Sequence, residues 1–209
     1  MARLAVVGAG GRTGRRIVER AAAAGDSVVA VVRDPGRAAG LPADSVAVTD
    51  ARDASGLAEA IHGVDAVVLC VGPVPGQSTT IQHDSAAAVI GAMEETGVRR
   101  LIAVSASGWV VDGDDPLTRY LAKPILARVL RDANADFAAM EAVVRASGVD
   151  WTLVRPPRLT DAAARGRYRS RRDGNVRWGF SISRTDLAQA VLDLLPDGSS
   201  ARQTVSVAR

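Results

Sequence analysis

Glycines, arginines and serines in this 209-residue chain sit where they could do chemistry. Gly8, Gly10, Gly11 and Gly14, with Arg12 and Thr13 among them, make a turn that covers little of its own backbone. Gly8 permits a tight turn, Gly11 lets bare backbone approach an anion, and Gly14 lets the next element pack closely. At the start of a helix, such a turn aims free N–H groups and the positive end of the helix dipole at a pyrophosphate. Arg33 and Arg12 add two guanidinium forks suited to a 2′-phosphate. In the other reading, Arg33 and Asp34 form a solvated turn before Pro35, with Asp34 bonding a ribose hydroxyl. Ser105 and Ser107 offer hydroxyls that can donate or accept hydrogen bonds.

The elements that must position these residues follow from hydrophobic periodicity. Leu4 to Val7 is a buried strand, Arg15 to Ala24 a helix with Ile17, Val18 and Ala21 on one side, and Val28 to Val32 a second strand. Strand, glycine turn, helix, strand is the context a dinucleotide fingerprint requires. A third strand, Val46 to Val48, ends at Asp50-Ala51, where Asp50 either receives an adenine amino group or serves as a turn or N-cap aspartate. Ser55 is expected to cap a helix through Ile61. Asp65 to Val71 is a strand, with Cys70 and Val71 at its end, breaking into Gly72-Pro73-Val74-Pro75-Gly76, a loop that a cofactor would pass.

Ser78 to Thr96 reads as a helix closed by Gly97, and Arg100 to Val104 as the fifth strand, running into Ser105 to Trp109. An exposed loop from Val111 to Pro116 precedes helices over Leu117 to Leu130 and Ala135 to Ala146. The sixth strand, Val149 to Val154, stops at Arg155-Pro156-Pro157-Arg158. Arg165 to Asn175 reads as a strand and tight turn with Val176 to Phe180 returning, then come a helix from Ser183 to Leu195 and a strand from Thr204 to Val207. The repeated order predicts an α/β fold: one Rossmann-type domain over 1–209, a doubly wound parallel sheet, with about 155–209 supplying a small C-terminal substrate-side cap.

Composition narrows the function. Apolar content of 47% and charged content of 23% are those of a soluble globule. No apolar run reaches the roughly 18 residues of a membrane span, and no signal-peptide pattern precedes the first strand, so a cytoplasmic protein is expected. One cysteine, Cys70, and two histidines, His62 and His83, leave no disulfide and no metal cluster to build. The net charge of +3 comes without an aromatic-interleaved basic face, which argues against nucleic acid. The expected partner is a small molecule, and the expected state a monomer or weak homodimer.

With these pieces in place, the chain resembles the atypical short-chain dehydrogenase/reductase group of NAD(P)H-binding proteins, the NmrA-like proteins and the biliverdin-IXβ/flavin reductases. The resemblance is carried by Gly8 to Gly14, Arg33-Asp34-Pro35, Asp65 to Val68, Gly97 to Leu101, Ser147 to Pro156 and Ile182 to Ala188, in the family's order over nearly the full length. It implies NADP(H), with the adenosine end held by residues such as Arg12, Thr13 and Arg33. It puts the nicotinamide near Cys70 to Pro73, Ser105 to Ser107 and Pro156-Pro157.

One departure bears on mechanism. Ketone-reducing relatives use a Tyr-x-x-x-Lys pair, in which lysine lowers the tyrosine pKa for proton donation. The corresponding positions here are Ala133 and Phe137, while Tyr120 and Lys123 are three apart on the preceding stretch. This resembles the flavin-reductase branch, where hydride passes directly to a stacked, electron-poor acceptor. Ser105 and Ser107 are then the candidate catalytic residues, with capping of a strand end as the other role for Ser105. Trp109 and Arg158 are the substrate-side candidates, Arg158 pairing either with an anionic substrate or with Asp161. The expected function is NADPH-dependent reduction of a flavin, quinone or similar planar acceptor; a non-catalytic NAD(P)-sensing regulator and an isomerase or cyclase on the same fold are the alternatives.

Overall fold

The computed structural model describes residues 1–72, 80–107 and 131–209. The predictions for Pro73, Ser78, Trp109, Tyr120, Lys123, the loop at 111–116 and the helix at 117–130 lie outside the described residues. Eight strands form one sheet in the order β3-β2-β1-β4-β5-β6-β10-β8. These are β1 (Arg3–Val7), β2 (Ser27–Val32), β3 (Ser45–Val48), β4 (Ala66–Leu69), β5 (Arg100–Val104), β6 (Asp150–Arg155), β8 (Arg169–Arg172) and β10 (Gln203–Ala208). All neighbours are parallel except β8, which runs antiparallel to β10 at the edge. The order reverses between β1 and β4, and in parallel sheets of this kind ligands bind outside the carboxyl ends of the strands at such a switch point.

Helices cover both faces. On one lie α2 (Ala54–Ile61), α3 (Ile81–Thr96) and α4 (Arg131–Ala146), which bury Leu57, Ile61, Val89, Met93, Met140 and Val144 against Ala5, Val7 and Leu69. On the other lie α1 (Arg12–Ala23) and α5 (Arg184–Leu194), which bury Ile17, Val18, Leu187 and Val191 against Leu4 and Val6. Alternate residues of β1 therefore serve opposite cores, the reason this strand reads as a continuous apolar run. No helix among the described residues is long and apolar enough to cross a membrane.

Several predicted boundaries shift for local reasons. Helix α1 begins at Arg12 rather than Arg15, because Gly11 itself is the N-cap. Asp53, not Ser55, caps α2: its carboxylate accepts from Gly56 N–H, and the Ser55 hydroxyl donates to it at 2.8 Å. The hairpin expected over 165–180 does not form. Instead β8 pairs with β10, while a small parallel ladder joins β7 (Arg158–Thr160) to β9 (Ser181–Ser183) just beyond β6. The segment after residue 155 thus splits: β7 and β9 make the small appendage, whereas α5, β8 and β10 complete the main layers. Buried Asp186 anchors this division by accepting from the Ser183 hydroxyl at 2.8 Å and from the backbone N–H groups of Arg165 and Gly166.

Candidate cofactor and active site

Each glycine of the first turn has a distinct steric duty. Gly8 sits at φ +90°, and a Cβ there would meet the backbone of Cys70 and Val71 at 3.1 Å, so the turns after β1 and β4 touch across the switch point. A Cβ on Gly14 would lie 2.2 Å from the Gly8 carbonyl oxygen and 2.8 Å from the Ala9 Cα, so α1 packs on the strand only with glycine there. On Gly10 it would strike the Arg37 Cβ at 2.7 Å, and on Gly11 it would meet just the Gly8 oxygen, at 3.2 Å. Gly11 therefore has a single tight neighbour, the turn's own carbonyl, and no side chain within 4 Å of the Cβ position. The first i to i−4 bond of the helix runs from Arg15 N–H to the Gly11 carbonyl, which leaves the N–H groups of Arg12, Thr13 and Gly14 ahead of it. Helix α1 has no side-chain cap and no acid in its first turn, so its positive end is uncompensated.

At the end of β2, Arg33 is exposed. Asp34 accepts from Gly36 N–H at 2.9 Å and caps the short 3-10 turn Pro35–Ala38, which places its carboxylate in the turn. Arg15 stiffens the same turn by donating to the carbonyls of Arg37 and Ala39, at 2.7 and 3.2 Å. Arg37, whose stem lies against Gly10, thus joins Arg33 around the turn. The spacing Arg33-x-x-x-Arg37 was the available signal, and the sequence reading missed it. Arg12 does not join this group: its guanidinium turns to Asp161 at 3.4 Å, and Arg184 holds the other Asp161 oxygen at 2.7 Å. This also corrects the pairing considered for Arg158, which stands exposed on β7 while Asp161 takes Arg12 and Arg184.

Asp50 proves to be a turn aspartate. Arg52 grips it with a fork, Nε to one oxygen and a terminal nitrogen to the other, both at 2.9 Å, and its backbone N–H adds a third bond. These bonds hold the Asp50 carboxyl down to a pKa of about 2, against partial burial. Arg52 takes three of the roughly four acceptor positions of the carboxylate, so the turn role is occupied and one position remains for a further donor. Ala51 packs half-buried against the core.

At the other end of the crevice, the Cys70 thiol donates to the Val7 carbonyl at 3.3 Å, and burial pushes its pKa up to about 12, far from a reactive thiolate. The Val71 carbonyl accepts from the buried amide of Gln82 at 2.7 Å, which ties the exit of β4 to α3 before Gly72. Asp136 of α4 in turn accepts from the first-turn N–H groups of Gln82 and His83, capping α3 from a neighbouring helix. Ser107 N–H donates to the Pro156 carbonyl at 2.9 Å, so the segment after β5 runs beside the one after β6.

Ser105 has a partner that its neighbours in sequence do not indicate. The Ser105 hydroxyl donates to Glu141 at 2.7 Å, and Glu141, 2% exposed, takes a fork from Arg155 through Nε at 2.8 Å and a terminal nitrogen. Glu141 lies on the buried side of α4, one turn from Phe137 and next to Met140, and a carboxylate on an apolar face signals a paired charge. Ser105 has its proton directed at this ionic pair, so its remaining lone pairs are what it can offer elsewhere.

A parallel sheet with an uncapped helix start at its switch point defines a dinucleotide-binding protein. The chain belongs to the NAD(P)H-binding family, whose model matches residues 8–198. It is 28% identical to the uncharacterised protein YwnB of Bacillus subtilis, with 97% of each chain covered. The solved structure of ChuY, an anaerobillin reductase from Escherichia coli O157:H7, superposes with a TM-score of 0.81 at 24% identity, covering 99% of this chain and 96% of that one. A short-chain dehydrogenase/reductase from Veillonella parvula, solved in complex with NADP, gives a TM-score of 0.82 at 15% identity over 100% and 94% of the two chains. The NAD(P)H-binding family read from the motifs is borne out by the family match, and the solved structures share the Rossmann-type α/β fold.

Proposed function

We propose that the protein is an NADPH-dependent reductase that passes hydride to a flavin, quinone or similar planar acceptor. The observation that carries this reading is the uncapped, acid-free start of α1 at the switch point, where Gly8, Gly10 and Gly14 leave no room for side chains and Gly11 has only the Gly8 carbonyl against it. The N–H groups of Arg12, Thr13 and Gly14 hold the pyrophosphate. Arg33 and Arg37 hold the 2′-phosphate. Cys70 to Pro73, Ser105 and Pro156-Pro157 flank the nicotinamide, which supplies the hydride when NADPH is bound. Ser105, whose proton goes to Glu141, acts as an acceptor and orients an amide N–H rather than protonating substrate.

With Ala133 and Phe137 at the positions of the tyrosine and lysine, neither position carries a side chain that can deliver a proton, and water would supply it. The ChuY likeness supports a reductase on this fold. We place the whole chain in one functional domain, working as a monomer or weak dimer in the cytoplasm.

The cofactor assignment has its own test. A charge-assisted hydrogen bond contributes roughly 1.5 to 3 kcal/mol, so Arg33→Ala should weaken NADPH by about ten- to a hundredfold and leave NADH nearly unchanged. Titration of both cofactors measures this, and equal losses would remove the preference for the phosphate.

A further inference from the structure

Two large aromatic residues, Trp178 and Phe180, are each 55% exposed, with ring centroids 6.3 Å apart in an edge-to-face pair. Trp178 also sits at φ +58°, a left-handed conformation that a bulky side chain rarely adopts. Its backbone is held there from three sides. Arg169 donates to the carbonyls of Arg177, Trp178 and Arg209, and Arg209 N–H donates to the Ser181 carbonyl at 3.0 Å. Gly179 is wedged so closely on Ala208 that a Cβ would come within 2.4 Å of the alanine's own. Strain retained around an exposed aromatic residue, and held by this many contacts, points to a use for the ring.

Contacts with β10 place the pair. Arg209 N–H meets the Ser181 carbonyl and Gly179 packs on Ala208, so the aromatic pair flanks the carboxyl end of β10. Strand β10 runs parallel to β6, and β6 to β5, so this is the same edge of the sheet from which Ser105 and Ser107 leave β5. Successive strands are roughly 5 Å apart, so from β5 across β6 to β10 is about 10 Å, the length of a fused multi-ring system and more than a single ring.

We propose that Trp178 and Phe180 form the outer wall of the acceptor site and stack on the far rings of an extended planar acceptor. This rests on the reductase reading and narrows it: fused tricyclic acceptors should be favoured over single-ring ones.

The test is a titration of riboflavin into the protein saturated with NADP+, read by quenching of flavin fluorescence. Trp178→Gly is the informative variant, because glycine accepts the left-handed backbone and removes the ring without strain. Its melting temperature should equal or exceed that of the wild type. Its riboflavin affinity should fall by roughly tenfold, a stacking contact's usual worth, and Trp178→Tyr should restore most of it. Equal riboflavin binding by wild type and Trp178→Gly, or no riboflavin binding by the wild type, would overturn the proposal while leaving the reductase reading intact. Riboflavin binding that depends on Trp178 without NADPH consumption by any acceptor would uphold the aromatic wall and remove the reductase reading.

Discussion

Glu141→Ala should destabilise the protein by about 3–5 kcal/mol, the usual cost of removing one partner from a buried ion pair. The carboxylate is the meeting point of three elements: α4 carries it, β6 presents Arg155 to it, and the end of β5 presents Ser105. The Arg155 side chain is only 11% exposed and its fork closes on Glu141, so the variant removes that ionic contact, and the Ser105 hydroxyl loses this acceptor. Glu141→Gln keeps the shape and an acceptor for Ser105 but not the charge, and should fall between the two. Urea unfolding checks this as a lowered midpoint with an unchanged slope. A loss below about 1 kcal/mol, the range of exposed pairs, would show that the network contributes little to the fold.

Gly14→Ala should be the most damaging change in the cofactor turn, and Gly11→Ala the contrasting one. A methyl on Gly14 meets backbone atoms of Gly8 and Ala9 at 2.2 and 2.8 Å, and no rotamer change can relieve a clash between backbone and Cβ. Helix α1 must then lift from β1, loosening Ile17 and Val18 in their core. Overpacking of this kind costs about 1–3 kcal/mol or more, and NADPH binding should be lost with the altered helix start. On Gly11 the methyl meets a single carbonyl at 3.2 Å, so melting should stay near the wild type while NADPH affinity falls about tenfold or more as backbone access closes. Thermal melting and NADPH titration on both variants separate the two duties. A Gly14→Ala protein that melts and binds like the wild type would contradict the packing described here.

Sequence-local chemistry explains what was legible beforehand. The first strand, the glycine turn and the second strand read clearly because their apolar runs are continuous and the glycines stand between them. The parallel sheet followed from the alternation of strands and helices. The C-terminal pairing did not, because β8 is Arg-Ser-Arg-Arg, exposed throughout, with no alternation to indicate a face, and its partner β10 lies about thirty residues on. The turn at Asp173 exists, with φ +50°, but no strand returns from it.

At the site, the serines and prolines follow the ends of neighbouring strands, β5 and β6, which brings Ser107 N–H to the Pro156 carbonyl. Their ionic support was not seen, since Glu141 and Arg155 meet only through tertiary packing. Arg12 was assigned to the 2′-phosphate by proximity in sequence, whereas its long side chain finds Asp161, 149 residues away.

On the proposed function, hydride leaves a bound NADPH for a planar acceptor without help from a tuned side chain. The most direct measurement follows the loss of NADPH absorbance on mixing the protein with riboflavin under anaerobic conditions, across neutral pH. The expected result is catalytic oxidation of NADPH, much slower with NADH, with a rate that shows no side-chain ionisation. Tight binding of NADPH with no consumption of it by riboflavin or by a quinone would contradict the claim and leave a protein that senses the cofactor.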